Sequence, residues 1–349
     1  MSSKDYCVAN IPLVKYEKLL TRDPVEMTRL FDACEQWGFF YLSLDTEQMT
    51  DYTFNVTALF GAAKEYFAQP LEEKLKDMSK DIQVYNICGY KPMGSLGLDE
   101  GNMRQKSNGS ENLRVPIDLF YNPRAQPRLS FPRGMQKHEV QFASFIKQSR
   151  EVAMKILESL SDHLGLESDQ RFESFHRVDE ISTSSAVLQH YPRTNLPEGT
   201  SAGHFAHTDT GSITVLFNTE WGLQVFSPRT DNWEYVPPRD GCAIVNVGDS
   251  LKFISHSKLK SSLHRVIPSS PHWVCESRYA AIFFLRASNS VQFTDTEGIR
   301  WTGASWLEAK FQNYRRAHSE QEKNTISTGK LDFSGLWDGA ENGALLRGS

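Results

Sequence analysis

Short β-rich segments follow one another after about residue 180, with turn-forming residues between them. They cover residues 186–191, 212–217, 223–226, 233–236, 242–247, 262–267 and 278–285. Because single short strands bury little apolar surface, such a series favours a sandwich of two sheets or a barrel. The back half of the chain is therefore predicted to form a mainly β core.

The front half has helical spacing instead. Asp23-Pro-Val-Glu26 has the N-cap, first-turn proline and third-position glutamate that are typical of a helix start. Apolar residues recur every three or four positions over residues 135–164, which predicts a long spine helix, and another helix is expected over 51–68. Residues 81–134 are rich in Gly, Asn, Pro and Arg and are predicted to form long loops.

These patterns predict a mainly β fold with flanking helices. An N-terminal region over 1–134 is followed by the spine helix and its connection over 135–180. The β core then occupies 181–290, and 291–349 holds a C-terminal helix with a lid or tail. The tail after Asn324 is Gly- and Ser-rich and is predicted to be loosely held.

Composition narrows the classes of partner. The chain of 349 residues has a net charge of -5, which disfavours nucleic acid, because a phosphate backbone requires a basic face. No apolar run reaches the length of a membrane span, and the N-terminus lacks the apolar core of a signal peptide. The five scattered cysteines contain no CxxC pair, which argues against a disulfide framework. We expect a cytoplasmic monomer that acts on a small molecule.

One histidine and one aspartate are spaced as metal ligands. His207-Thr-Asp209 is predicted to open a strand, where alternate residues face the same side. His264, on another predicted strand, offers a third ligand. Two histidines and a carboxylate occupy one face of an octahedron and leave the other open, as in non-haem Fe(II) sites. A lone His-x-Asp is more often a solvated strand face, and the odd spacing of His204 predicts that it points away.

Two arginines and two aromatic residues are further candidates. Arg278 heads the most apolar run in the chain, where an unpaired charge is costly. A buried arginine binds a carboxylate through two parallel hydrogen bonds, whereas the alternative is a surface charge at a strand start. Phe205, Phe284 and Arg286 are candidates for a substrate pocket. Phenylalanines on strands are more often core residues, and Arg286 would bind an acidic substrate only if its side faces inward.

Motifs in a fixed order span most of the chain. Two of them, His207-Thr-Asp-Thr-Gly-Ser-Ile-Thr214 and Ser262-Leu-His-Arg-Val266, contain the candidate ligands. The others lie at residues 11–13, 33–40, 66–74, 89–90, 191–192, 222–225, 245–249 and 278–279. In this combination and order, the sequence resembles the isopenicillin N synthase-like branch of the 2-oxoglutarate and Fe(II)-dependent oxygenases.

The resemblance implies a double-stranded β-helix, or jelly roll, with iron held at its mouth by the three candidate ligands. It also implies that Arg278 binds the distal carboxylate of 2-oxoglutarate. Tyr191 matches a tyrosine that often assists at that carboxylate, and Gln189 lies where relatives carry an asparagine near the co-substrate.

The implied reaction uses O2 and 2-oxoglutarate to oxidise an unactivated C–H bond of a small, specialised metabolite. Hydroxylation, desaturation or ring formation would result, with succinate and CO2 as co-products.

The sequence departs from the family at one position. The usual Arg-x-Ser is Arg278-Tyr-Ala280 here, so the serine hydroxyl that shares the carboxylate is absent. A lost hydrogen bond to a charged group costs about 1.5–3 kcal/mol unless Tyr191 or a water replaces it. Alternatively, Arg278 binds a substrate carboxylate and no 2-oxoglutarate is used, as in isopenicillin N synthase. A zinc hydrolase with the same ligands and a non-catalytic jelly-roll binding protein are further alternatives.

Overall fold

The computed structural model describes residues 7–78, 88–93, 109–123, 130–192, 203–267, 277–316 and 318–333. Its strands are β1 (Leu13–Lys15), β2 (Phe39–Ser43), β3 (Gly89–Lys91), β4 (Glu111–Pro116), β5 (Ser185–Pro192), β6 (His204–His207), β7 (Ile213–Asn218), β8 (Leu223–Phe226), β9 (Trp233–Tyr235), β10 (Cys242–Val247), β11 (His264–Val266), β12 (Ser277–Leu285), β13 (Gln292–Thr294) and β14 (Arg300–Thr302). Its α-helices are α1 (Tyr16–Leu20), α2 (Pro24–Gln36), α3 (Thr50–Phe67), α4 (Leu71–Leu75), α5 (Asp118–Tyr121), α6 (Glu139–His163), α7 (Asp249–Ile254), α8 (Gly303–Tyr314) and α9 (His318–Gln321).

Two β-sheets pack against each other. An eight-stranded sheet has the order β1-β2-β10-β7-β12-β5-β4-β3, and a four-stranded sheet has the order β6-β11-β8-β9. The core between them combines Val187, Leu216 and Ile282 of the large sheet with Val225 and Val266 of the small sheet. Such packing of inward-facing side chains is the architecture of a jelly roll, so the predicted fold class is confirmed.

Helices cover the opposite face of the large sheet. Alternate strand residues, such as Val215, Phe217 and Phe283, turn away from the second sheet. They pack in one cluster with the apolar side of α6, which includes Phe145 and Ile156. The predicted spine helix is confirmed, although α6 starts at residue 139 after a short 3₁₀ segment. Helix α6 therefore packs on the outer face of the large sheet, and the inner face, toward the small sheet, is left for a functional site.

The predicted helix start at Asp23 is confirmed in detail. Its side-chain Oδ1 accepts hydrogen bonds from the backbone N–H groups of Val25 and Glu26, both at 3.0 Å. Residue 24, the proline, occupies the first helical position. The capping pattern thus determines where α2 begins, because it satisfies N–H groups that have no partner inside the helix.

Two predictions about irregular regions are wrong where the structure describes them. Within 81–134, β3 and β4 pair with each other, and β4 pairs with β5, so these residues extend the large sheet. In the tail, Ser327 and Thr328 are 0% and 3% exposed rather than loosely held. Residues 81–87, 94–108, 124–129 and 334–349 lie outside the described residues. The boundaries at 134, 180 and 290 stay a prediction.

Within the described ranges, no helix is both long enough and apolar enough to cross a lipid bilayer.

Candidate metal centre

The three predicted ligands come together at one end of the small sheet. His207 is the last residue of β6 and is paired with His264, the first residue of β11. The Nε2 atoms of His207 and His264 lie 3.7 Å and 3.9 Å from Oδ1 of Asp209. In the described part of the chain, this is the only group of three or more His, Cys, Asp or Glu residues close enough to share a metal ion.

Hydrogen bonds around the cluster leave one ligand atom free on each side chain. Nδ1 of His207 bonds the carbonyl of Phe205 at 2.7 Å, and Nδ1 of His264 bonds that of Ser262 at 3.1 Å. A carbonyl only accepts, so each Nδ1 carries the proton and each Nε2 keeps its lone pair. Such bonds fix the ring orientation that metal binding requires.

The aspartate is oriented in the same way. Its Oδ2 accepts hydrogen bonds from Oγ1 of Thr214 at 2.6 Å and from Nδ2 of Asn246 at 2.7 Å. Both donors lie on the inner face of the large sheet, on adjacent strands β7 and β10. The bonds hold Oδ2 away from the histidines, so that Oδ1 is the atom turned toward them.

The electrostatics of the cluster favour the metal-binding forms. Burial alone would raise the pKa of the Asp209 carboxyl, but His264, His207 and the Asn246 amide hold it well below its usual range. Burial, followed by repulsion from His207, lowers the pKa of His264 to about 4. The carboxylate is therefore charged and the His264 imidazole neutral near pH 7, as coordination requires.

The local backbone differs from the predicted strand. β6 ends at His207, and Asp209 lies in the loop that follows. The loop is fixed by hydrogen bonds from the Asp249 N–H to the Asp209 carbonyl at 2.7 Å and from the Thr208 N–H to the Ser327 carbonyl at 3.0 Å. Tertiary bonds, not strand alternation, therefore turn the histidine and the aspartate toward each other.

The prediction that His204 points away from the site is wrong. Its ring centroid lies 4.4 Å from that of His207 in an edge-to-face contact. The register between β6 and β11 shifts after the His207–His264 pair, so strand alternation does not hold there. Burial and the neighbouring His207 and His264 lower the pKa of His204 well below its usual value, which makes it a neutral packing partner.

Arg278 lies on the inner face of β12 and is 1% exposed. Its Nε donates to the carbonyl of Glu220 at 3.1 Å, and its guanidinium carbon lies 4.9 Å from the centre of the Tyr191 ring. Its Nη1 is buried and has no hydrogen-bond partner among the described residues. An unpaired buried guanidinium donor is costly, so this atom fits the carboxylate of a ligand such as 2-oxoglutarate.

Comparison with protein-family models gives two matches. Residues 182–287 match the 2OG-Fe(II) oxygenase superfamily, and residues 11–130 match the non-haem dioxygenase N-terminal region named for morphine synthesis. A 2-oxoglutarate-dependent dioxygenase of Gibberella zeae is 33% identical over 94% of this chain and 95% of its own. The chain belongs to the 2OG-Fe(II) oxygenase superfamily. Members of this superfamily use Fe(II), 2-oxoglutarate and O2, which agrees with the His-Asp-His cluster and Arg278.

A further relative and a solved structure are also similar to the chain. A 2-oxoglutarate-dependent dioxygenase of Glarea lozoyensis is 35% identical over 88% of each chain. The solved structure of a full-length Neurospora crassa protein in complex with alpha-KG and thymine superposes with a TM-score of 0.70 and 21% identity. The match covers 89% of this chain and 98% of the Neurospora chain. At that identity, the likeness supports the fold.

The position where this oxygenase lacks the family serine is closely surrounded. Ala280 is 1% exposed and is paired with Gln189 on β5 and with Asn218 on β7. The Gln189 amide donates to Oγ of Ser110 at 3.1 Å, and Asn218 donates to the Glu220 carbonyl at 2.9 Å. Two side-chain amides therefore flank the place of the missing hydroxyl.

The predicted pocket residues of this oxygenase have different surroundings. Phe205 contributes its carbonyl to His207, and the place of its partly buried ring in a substrate pocket stays a prediction. Phe284 lies on the inner face of β12, and the guanidinium of Arg286, just past the end of this strand, lies 5.0 Å from the Phe284 ring centre. Arg114 of β4 lies 5.4 Å from the same ring. Sequence reasoning missed Arg114 because its segment was predicted to be a loop.

Proposed function

We propose that this protein is an Fe(II)- and 2-oxoglutarate-dependent oxygenase that oxidises an unactivated C–H bond of a small, specialised metabolite. Hydroxylation, desaturation or ring formation are the possible outcomes, with succinate and CO2 as co-products. The observation that carries the proposal is the cluster of His207, Asp209 and His264, whose free ligand atoms all lie within 4.8 Å of one another.

Each of these side chains has a defined role in the proposal. The two histidines and Asp209 hold Fe(II), and Thr214 and Asn246 keep the carboxylate turned toward it. When bound, Fe(II) and 2-oxoglutarate supply the two-electron oxidation of a C–H bond by O2. Because the three ligands approach from one side, the opposite side is left for the co-substrate and O2.

Arg278 and Tyr191 anchor the co-substrate in the proposal. The positive charge of Arg278 pairs with the distal carboxylate, and its free Nη1 donates a hydrogen bond. Burial raises the pKa of Tyr191 to about 12, with Arg278 opposing, so the phenol keeps a proton to donate. Gln189 and the apolar inner face complete the wall, which excludes water from the reacting C–H bond.

The alternatives explain less. A zinc hydrolase would not explain why Arg278 is buried in the site. A non-catalytic binding protein would not explain why all three side chains keep a free ligand atom. An oxidase that omits 2-oxoglutarate would use Arg278 for its substrate. The chain belongs to the 2OG-Fe(II) oxygenase superfamily, and its Glarea and Gibberella relatives are named 2-oxoglutarate-dependent dioxygenases. This favours 2-oxoglutarate as the ligand of Arg278.

We propose further that the protein is a cytoplasmic monomer without a nucleic acid partner. Its net charge of -5 supports the last point. The cysteines that the structure describes, Cys7, Cys34, Cys88 and Cys242, are free thiols, as expected in a reducing compartment. The thymine in the Neurospora complex supports a small-molecule substrate.

The test uses anaerobic protein with Fe(II) and 2-oxoglutarate. We expect a weak visible charge-transfer band and calorimetric binding of 2-oxoglutarate. His207→Ala and Asp209→Ala should each abolish iron binding and succinate formation, because each removes one of three ligands. His256→Asn, at an exposed histidine, is the matched control. Neither band nor binding in the wild-type protein, or full turnover in either ligand variant, would disprove the proposal.

A further inference from the structure

Two arginines meet beside Ser185 and Phe284 at the inner face of the large sheet. Nη1 of Arg114 donates to Oγ of Ser185 at 2.9 Å, and Nη1 of Arg286 contacts the same oxygen at 3.4 Å. The ring of Phe284 lies beside both guanidinium groups, at 5.4 Å and 5.0 Å. Two positive charges are therefore held side by side on a single hydroxyl.

The two guanidinium groups have no carboxylate within ion-pair distance in the described residues, although Asp209 acts on both from further away. Neither forms an ion pair there, and the Nε atom of each is buried without a hydrogen-bond partner. Arg286 is only 7% exposed. Two buried positive charges repel each other, and each buried N–H donor without a partner costs free energy. An anion bound between the two guanidinium groups would relieve both costs.

Both arginines remain charged despite burial. Burial, together with repulsion from Arg286, lowers the pKa of Arg114 to about 9, and burial lowers that of Arg286 to about 10. The Asp209 carboxylate opposes both shifts. Lys91 lies on the same face, since β3 pairs it with Asn112 two residues from Arg114, but burial and then repulsion from Arg114 lower its pKa to about 7.

The pair lies beside the candidate iron site. Phe284 is directly opposite Thr214, whose hydroxyl bonds the Asp209 carboxylate. A Cβ atom on Gly211, two residues after Asp209, would come within 2.9 Å of Cγ of Arg286. A molecule bound to the arginines would therefore lie next to the metal ligands.

The pair is also separate from Arg278. Arg278 and Arg286 are eight positions apart on one strand and its continuation, so their backbone positions are about 26 Å apart in an extended chain. A five-carbon diacid bound at Arg278 does not span that length. Arg278 therefore lies at the start of β12, and the arginine pair lies toward its other end.

From this geometry we propose that the primary substrate is a small carboxylic acid whose carboxylate binds between Arg114 and Arg286 and so presents a C–H bond to the iron. The two buried Nε–H donors, one from each arginine, match the two oxygens of one carboxylate. The inference rests on the proposed function and defines the class of substrate for the same site.

The test measures binding of three acids by calorimetry to the full chain, anaerobically, with Fe(II) and saturating 2-oxoglutarate. The probes are benzoate, hexanoate and N-acetyl-L-leucine, each compared with its primary amide and with inorganic phosphate. We expect at least one acid to bind, and its amide to bind roughly tenfold or more weakly, because the charge-assisted hydrogen bonds are lost. Arg114→Gln and Arg286→Gln should weaken acid binding by a similar factor.

Controls separate this site from the co-substrate site and from misfolding. Both variants should bind 2-oxoglutarate as tightly as the wild type, which also reports that they fold. Arg286→Lys should give intermediate acid affinity, and Arg177→Gln, at an exposed arginine, should give none of these losses.

Several results would overturn the inference. Binding of none of the three acids, equal binding of acid and amide, or tighter binding of phosphate would each contradict it. A parallel loss of 2-oxoglutarate binding in the arginine variants would assign the pair to the co-substrate. Failure of the proposed function is distinguishable, because wild-type protein would then bind no 2-oxoglutarate whether or not an acid binds.

Discussion

At the scale of single residues, Ala280 lies where relatives carry the serine that shares the co-substrate carboxylate with the arginine. The methyl group faces inward on the same side of β12 as Arg278, between the amides of Gln189 and Asn218. The amides already have partners in Ser110 and in the Glu220 carbonyl. A hydroxyl at residue 280 would thus be a new donor for the carboxylate.

We predict that Ala280→Ser tightens 2-oxoglutarate binding, by roughly tenfold for one added hydrogen bond to a charged group. Calorimetry on anaerobic Fe(II)-loaded protein measures the change. Ala281→Ser is the matched control, because it puts the same hydroxyl on the opposite, helix-covered face of the strand. Unchanged or weaker affinity in Ala280→Ser would show that a neighbouring group already fills the role of the family serine.

The sequence identified the candidate ligands but not how they are held. Spacing and ordered motifs singled out His207, Asp209 and His264, and the structure brings these three together. Strand alternation did not describe Asp209 or His204, because a loop and a register shift replace regular strand there. The Arg114 guanidinium was not predictable, because its place depends on pairing with a strand that lies over seventy residues later.

At the scale of elements, α8 and α7 support the loop between the first two ligands. Lys310 of α8 is 0% exposed and forms an ion pair with Asp249 at the start of α7. Its Nζ also donates to Oγ1 of Thr208 at 2.8 Å. The N–H of Asp249 in turn bonds the carbonyl of Asp209. One buried cation therefore connects two helices to the candidate metal site.

We predict that Lys310→Met lowers the free energy of unfolding by about 3–5 kcal/mol, because Asp249 is left buried without its partner. Urea unfolding measures the loss, and chelator competition should show weaker metal binding as the loop loosens. The double variant Lys310→Met with Asp249→Asn removes both charges and should regain part of the stability. If the double variant is as unstable as the single one, the ion pair is not the cause.

Most helices and strands could be predicted from the sequence, and the strands that were not predicted were missed for one common reason. The strands at 223–226 and 242–247 match their predicted bounds, and the helix start at Asp23 does so too. These elements carry local signals, namely alternation, turns and caps. β3 and β4 carry few such signals, because their polar inner-face residues are stabilised by neighbours distant in sequence.

At the scale of the whole molecule, a buried histidine couples stability to pH. His176 is 3% exposed; its Nδ1 bonds the Phe172 carbonyl at 2.8 Å and its Nε2 bonds Oγ of Ser212 at 2.7 Å. Nδ1 therefore carries the proton, and Nε2 accepts from the serine. Burial lowers the pKa of His176 to about 4 from its usual value of 6.5, so the folded protein holds it neutral.

We predict that the free energy of unfolding falls by about 3 kcal/mol from this group as the pH drops from 6.5 to 4. Below pH 6.5 this histidine becomes protonated in the unfolded chain, whereas in the folded chain it stays neutral down to about pH 4. Acid therefore favours the unfolded state. Urea unfolding at several pH values measures the slope. His176→Gln should flatten it in that window, whereas the exposed His256→Asn should not; equal slopes in all three proteins would contradict the prediction.

The bond between Thr208 and Ser327 also bears on how the protein is made. The two residues are 119 positions apart, and at a translation rate of about 5–20 residues per second the later one follows the earlier by roughly 6–24 s. The strands of both sheets precede Ser327 and can pair before it is made, but one of the bonds that hold the loop between the first two ligands forms only afterwards. A chain cut short before Ser327 would therefore lack one of the bonds that hold Thr208 between His207 and Asp209.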